Sequence, residues 1–350
     1  MKKLLCVLLC AVILCGCGSD CSDEAACPLP AEQPAATATV FATPVPSPEP
    51  TPEPSPTPRP LLPPKTIDGS IDECLFGSAN EQGYVTELFY ETCDYAAGGT
   101  EPIEKRMVVY VPYGYDPQKQ YNVLFLSHIM SWNENFWFWT DFGYPSPEGG
   151  HSGLFLFDML DNMIELGYCE PVIVVSVNNY LYEQDSWSHY SSRTYSQFGR
   201  EFAEDILPCV AENYSTYASG SSREELSAAR EHFGFMGASF GAYVTYNCIM
   251  QDCFDLVSNF AVTGGGSMDG SLLINRWTAL GHQDYSMDHL FFGQGEYDDR
   301  AGPEGGYYNL HYYPEYFSDG NLHLIIYPGL GHEERAWVNT VYNSLQLFFR

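Results

Sequence analysis

The sequence predicts an α/β fold with a mostly parallel central sheet flanked by helices. Three observations lead there. Short unbroken apolar runs such as YNVLFLS at 121–127 and PVIVVSV at 171–177 have the pattern of strands covered on both faces. Segments with apolar residues three and four apart lie between such runs, as crossover helices would. A further apolar run, His232 to Met236, passes through Gly237-Ala238-Ser239-Phe240-Gly241 directly into the helix-like AYVTYNCIMQ.

The chain opens with MKKLLCVLLCAVILCG, residues 1–16, a Lys pair followed by an apolar stretch too short to span a bilayer. An export signal is expected. It ends in Leu14-Cys15-Gly16-Cys17, which resembles the bacterial lipobox, where cleavage precedes a lipid-modified Cys. Cys17 would then be the first mature residue, lipid-anchored at the extracellular face of the cell membrane. An ordinary signal peptide followed by a chance Cys is the alternative. Residues 17–65 form the anchored linker, whose Pro28–Pro64 stretch includes PVPSPEPTPEPSPTPRPLLPP. Proline fixes φ and removes donors, so this stretch favours polyproline II at about 3.1 Å per residue and reaches on the order of 100 Å.

Residues 66–350 are long enough for one large domain. Within it KRMVVYVP, from Lys105, reads as a strand ended by the polar turn PYGYDPQKQ. The two apolar runs named above follow, with SGLFLFDMLDNMIELGY between them as a helix and FGREFAEDILPCVAENY, Phe198 to Tyr214, as another. Later strands are SNFAVTG from Ser258, HLFFGQG from His289 and LHLIIYPG from Leu322, and an amphipathic run from Arg335 to Phe348 closes the chain. No segment after the signal approaches eighteen consecutive apolar residues, so the only membrane contact expected is the anchor.

A formal charge of −30, with 15 Lys plus Arg against 45 Asp plus Glu, excludes nucleic acid and anionic membrane surfaces as partners, because both need clustered basic side chains. Of twelve cysteines, eight (Cys21, Cys27, Cys74, Cys93, Cys169, Cys209, Cys248 and Cys253) lie beyond the signal and the lipidation candidate. Export permits disulfides, but eight cysteines allow 105 pairings, and buried thiols fit equally well. None has CxxC or Cys/His spacing, so neither a metal nor a cofactor is expected.

GASFG at 237–241 fits GxSxG, a turn in which glycines let the backbone push a serine hydroxyl out above the sheet, with helix N–H groups directed at it. Ser239 is therefore the candidate nucleophile. A serine hydroxyl needs an imidazole base, and the imidazole needs a carboxylate that fixes its tautomer. His332, in YPGLGHEERAW after the last strand, is placed to serve as that base. The acid lies in FFGQGEYDDR, which offers Glu296, Asp298 and Asp299 on a loop after a strand; Asp298 is preferred, with a solvated acidic loop or a loose calcium site as the alternative reading of the cluster. The oxyanion donors would be the backbone N–H of Phe240 and one from the loop His128-Ile129-Met130.

These residues resemble the esterase D and feruloyl esterase group of α/β-hydrolases, a group that includes carbohydrate esterases deacylating xylan. The likeness covers most of residues 84–350. It rests on KRMVVYVPYGYDPQKQYNVLFLSH, EDILPCVAENY, FGFMGASFGAY, GEYD and GHEERAW, the last with Trp337 five positions after the histidine. The resemblance implies an α/β-hydrolase fold and a triad of Ser239, Asp298 and His332. Where the family has Gly after the oxyanion-strand histidine and Met after the nucleophile, this chain has Ile129 and Phe240; Met130 is the second donor expected.

WNENFWFWTDFGYP follows His128 closely, and its Trp137 and Trp139, with Trp187 and His189 further on, are the candidate substrate-binding residues, since flat aromatic faces suit sugar rings or an aromatic acyl group. The expected partner is an ester-decorated polysaccharide or oligosaccharide of the plant cell wall, carrying feruloyl or acetyl groups. Two rivals stand beside this: transfer of the acyl group to a sugar acceptor, and a non-catalytic carbohydrate-binding lipoprotein. The second predicts a broken triad, whereas all three members occur in order.

Overall fold

Strands form where the chain carries its short apolar runs. The computed structural model describes residues 71–138, 156–181, 192–265, 268–300 and 303–350, all of them within Ser55–Arg350. Its strands are β1 (Tyr84–Thr92), β2 (Ile103–Val111), β3 (Asn122–Ser127), β4 (Val172–Val177), β5 (Phe233–Ala238), β6 (Asn259–Thr263), β7 (His289–Gly295) and β8 (Leu322–Tyr327). They make one eight-stranded sheet in the order β1-β2-β4-β3-β5-β6-β7-β8. β1 and β2 pair antiparallel, as do β2 and β4, and every pairing from β4 to β8 is parallel. This is the α/β-hydrolase arrangement, and its strand ends collect on one edge the loops that carry the site.

The helices are α1 (Leu156–Glu165), α2 (Ser192–Glu201), α3 (Leu207–Asn213), α4 (Arg223–Ala228), α5 (Phe240–Val244), α6 (Gly270–Leu280), α7 (Pro303–Leu310) and α8 (Glu334–Leu345). One π turn, Phe202–Ile206, joins α2 to α3, and a second, Thr245–Met250, extends α5. The period-2 alternation of the strands divides the core into two layers. Val123 and Phe125 of β3 face the layer that contains Phe202, Ile206 and Val210, whereas Leu124 and Leu126 face the layer of Met159, Leu160, Val338 and Val341. Both layers are dry, which is why β3, β4 and β5 read as continuous apolar runs rather than as alternating ones.

Two elements depart from expectation. β1 carries no apolar run in the sequence, because it is an edge strand with Tyr84 and Phe89 exposed and only Tyr90 and Thr92 buried. The final helix is not amphipathic in its surroundings: every residue from Ala336 to Leu345 is buried, including Asn339, Thr340, Asn343 and Ser344. Its polar side chains bond largely back to the helix itself, Thr340 Oγ1 to the Ala336 carbonyl at 2.9 Å and Asn343 Nδ2 to that of Asn339 at 2.9 Å. Cys93, Cys169, Cys209 and Cys253 are thiols. Among the described residues no helix is long and apolar enough to cross a membrane.

Candidate active site

Ser239 sits between β5 and α5 with φ 52° and ψ −112°, a left-handed conformation that a side chain adopts at a cost of order 1–3 kcal/mol. The turn is tight because its glycines leave no room for anything larger. A Cβ on Gly237 would lie 2.0 Å from the Gly241 carbonyl oxygen, and one on Gly241 would lie 2.5 Å from that of Ser127 on β3. The Ser239 N–H donates to the Thr263 carbonyl at 2.8 Å, which ties the elbow to the end of β6.

His332 reaches this serine from the loop between β8 and α8. Its Nε2 lies 3.0 Å from Ser239 Oγ, and its Nδ1 lies 3.0 Å from Asp298 Oδ2. The Asp298 side chain is 1% exposed and that of His332 13%, so the hydrogen bond between them is shielded from bulk solvent. Asp298 is held in turn by the Arg300 N–H, which donates to Oδ1 at 3.1 Å. Of the other two carboxylates in the loop, Glu296 is exposed and accepts the Gly329 N–H at 2.9 Å, and Asp299 is exposed.

The imidazole is packed as well as bonded. The Trp337 ring meets the His332 ring edge-on at 5.4 Å, and behind it Phe136 lies 5.8 Å from Trp337. Gly264, just after β6, closes the other side with φ 61°. A Cβ there would fall 2.9 Å from Trp337 Nε1, 3.2 Å from Asp298 Oδ2 and 3.2 Å from His332 Cε1. The glycine is needed twice, for its left-handed backbone and for its lack of a side chain. Sequence reasoning passed it over, although the run Gly264-Gly265-Gly266 directly after a strand was a signal.

Phe240 opens α5 beside Ser239, and Met130 lies half-buried on the loop after β3. His128 at the start of that loop is fully buried. Burial lowers its pKa to about 4, so the ring is neutral at pH 7. Its Nδ1 is 2.6 Å from the Ile129 carbonyl oxygen, a contact that requires the proton on Nδ1, and Nε2 then accepts the Asn179 N–H at 3.2 Å.

The aromatic run after His128 requires a correction. Trp137 is 0% exposed, with its Nε1 donating to the Ser127 carbonyl at 3.1 Å, and Phe136 and Phe138 are buried beside it. These rings fill the core layer under the His332 loop and offer no face to a substrate. The run turns inward because Phe136 and Trp137 complete the cluster formed with Trp337 and Ala336. Trp139, Trp187, His189 and Cys17 lie outside the described residues.

No protein-family model matches the chain. A curated relative, endo-1,4-beta-xylanase Y of Acetivibrio thermocellus, is 29% identical over 261 residues, 70% of this chain and 22% of that protein; the chain thus spans about a fifth of that relative's length. Among solved structures, a protein described as FAE is similar with a TM-score of 0.66 and 25% identity, over 83% of this chain and 96% of the other. A mutant of the feruloyl esterase module from Clostridium thermocellum, complexed with sinapinate, has a TM-score of 0.64 and 24% identity over 84% and 96% of the two chains. A CE1 ferulic acid esterase from the anaerobic fungus Anaeromyces mucronatus has a TM-score of 0.60 and 18% identity over 81% and 98%. These likenesses establish the α/β-hydrolase fold.

Proposed function

We propose that this chain is a serine carboxylesterase that releases feruloyl or acetyl groups from plant cell-wall polysaccharide such as xylan. The observation that carries the reading is the continuous hydrogen-bonded line Asp298–His332–Ser239, ending on a strained elbow. His332 Nε2 takes the proton as Ser239 Oγ attacks the ester carbonyl, and the carbonyl electrons move onto oxygen, where the Phe240 and Met130 N–H groups receive the charge. The tetrahedral species collapses, the sugar alkoxide leaves with the proton from His332, and an acyl-serine remains. Water, deprotonated by the same imidazole, then releases the acid. Asp298 keeps Nδ1 protonated throughout and stabilises the imidazolium.

The named neighbours support the substrate class: one relative is an endo-1,4-beta-xylanase, and the similar structures include a feruloyl esterase module and a ferulic acid esterase. The acidic, Lys- and Arg-poor composition suits an uncharged polymer. With the signal, Cys17 and the proline linker, the enzyme would work at the extracellular face of the membrane, tethered by lipid.

Incubating the purified protein with feruloylated arabinoxylan, acetylated xylan and nitrophenyl acetate, then measuring free ferulate, acetate and nitrophenol, tests the reading. Release from at least one polymer, abolished by Ser239→Ala, is expected. Turnover of the nitrophenyl ester alone would keep the esterase and remove the polysaccharide, and no turnover of any would remove both. For the anchor, fatty-acid labelling of the exporting cell should tag the wild-type chain; a Cys17→Ser chain that still takes up label would overturn lipidation at Cys17.

A further inference from the structure

The oxyanion hole of the proposed esterase is assembled from two pieces of chain, the loop after β3 and the turn after β5, which leave neighbouring strands paired at Ser127 and Gly237. A third segment touches both. β4 ends at Val177 and continues as Asn178-Asn179-Tyr180, and these three residues reach over to the loop that carries Met130. Asn179 Nδ2 donates to Ser127 Oγ at 2.8 Å, and its backbone N–H donates to the neutral His128 ring, whose opposite nitrogen holds the Ile129 carbonyl. Tyr180 OH accepts the Ser131 N–H at 3.2 Å, and Ser131 has φ 64°, an unfavourable left-handed backbone that needs an external hold. The same Tyr180 ring stacks on Phe240 at 5.8 Å and 15°, and lies 5.1 Å from the His128 ring.

Asn178 is fixed from behind. Its carbonyl accepts from Lys105 Nζ at 2.9 Å, and Lys105 is paired with the buried Glu201. Its Nδ2 donates to Glu134 Oε2 at 2.9 Å, while Glu134 Oε1 receives the Arg106 guanidinium. The segment is therefore a buried, charge-anchored strut and not a free loop; Tyr180 itself is 8% exposed.

We propose that Tyr180 is a positioning residue that couples the two halves of the oxyanion hole, its hydroxyl holding Met130–Ser131 and its ring holding Phe240. The proposal rests on the esterase reading for its kinetic consequence, though not for its structural one. Oxyanion donors act because they are already in place when charge develops, and a displacement of about 1 Å can cost on the order of 10²-fold in rate. Loss of the hydroxyl frees one half, and loss of the ring frees both.

The test compares Tyr180→Phe and Tyr180→Ala in the full chain. Expected values of kcat on nitrophenyl acetate fall about tenfold and about a hundredfold, with KM within about twofold, because a ground-state ester barely uses the hole. Affinity for a boronic acid, which forms a tetrahedral anion on Ser239, falls in proportion to kcat, a parallel that a merely structural role does not give. Tyr95→Phe, which removes a hydroxyl bonded to Asp205, is the control and keeps wild-type kcat. Amide hydrogen exchange over residues 129–131 is the second readout, and it speeds up in both Tyr180 variants. Wild-type kcat and boronate affinity in both variants, or unchanged exchange at 129–131, would overturn the coupling. Should the wild-type protein hydrolyse no ester, the esterase reading falls, and the exchange at 129–131 still decides the strut.

Discussion

Asp298→Asn is the substitution whose outcome the geometry fixes most tightly. The carboxylate has two acceptor oxygens, one taking the Arg300 N–H at 3.1 Å and the other facing His332 Nδ1 at 3.0 Å. An asparagine in the same pose keeps its carbonyl oxygen on Arg300, because that backbone donor needs an acceptor, and so turns its NH2 toward His332. Two donors then cannot share one hydrogen bond, and Nδ1 must give up its proton. The imidazole proton moves to Nε2, where it points at Ser239 Oγ, and the base is already full. The same wrong-tautomer trap costs about 10⁴ in kcat in the serine protease used as the type case of the triad, which at about 1.4 kcal/mol per tenfold is roughly 5.5 kcal/mol of transition-state stabilisation. Folding should change little, since the replacement is nearly isosteric and the side chain is as buried as before. The assay is kcat and KM on nitrophenyl acetate at pH 7.5, with a thermal melt of each variant. Glu296→Gln and Asp299→Asn, both exposed and without contact to His332, should stay within about twofold of wild type. An Asp298→Asn enzyme retaining a tenth or more of wild-type kcat, or a Glu296→Gln enzyme falling as far, would refute the assignment.

Three further outcomes follow from the same structure. Gly264→Ala places a methyl against Trp337, Asp298 and His332 at a left-handed backbone position, so kcat should drop at least tenfold alongside a stability loss of about 1–2 kcal/mol; wild-type kcat with intact folding would contradict the packing described. Trp137→Ala should cost about 3–5 kcal/mol in a urea melt and leave KM of the folded enzyme unchanged, whereas a raised KM at full stability would return the ring to the substrate cleft. His128 has its folded pKa lowered from 6.5 to about 4 by burial, so the unfolded chain binds more protons between those values; its contribution, about 3 kcal/mol, is complete above pH 6.5 and is lost as pH falls toward 4. Urea melts across that window should show a shallower pH slope in His128→Gln than in wild type, and equal slopes would assign the dependence elsewhere.

How much of this was legible in the sequence depended on whether the determinant was local. The central strands announced themselves because a strand dry on both faces has to be apolar at every position, as Val172–Val177 is. Edge strand β1 did not, since only two of its nine residues are buried and Glu87 serves the Arg106 cluster. Likewise Ser239 could be read from five residues, because what makes the elbow is steric exclusion between Gly237 and Gly241, four positions apart. Choosing Asp298 over its neighbours could be argued only by likeness, for what distinguishes the three carboxylates is burial and a partner 34 residues away.

The same distinction explains the residues that the sequence concealed. A tryptophan beside a proposed oxyanion loop looks alike whether it lines a cleft or fills a core, and Trp137 is settled by Phe136 and Trp337, the latter two hundred residues later in the chain. Tyr180 carried no signal, because a tyrosine after an apolar strand is ordinary and each of its contacts, to Ser131 and to Phe240, is made across 49 and 60 positions. A turn is written in the residues that form it. The contacts of the segment after β4 with the loop after β3 are written instead in the parallel register of the two strands, which pairs Ser127 with Val177 and so brings the residues that follow each strand close together. In that setting Asn179 meets His128 and Tyr180 meets Ser131, and a polar or aromatic residue at those positions becomes a means of tying the loop after β4 to the loop after β3.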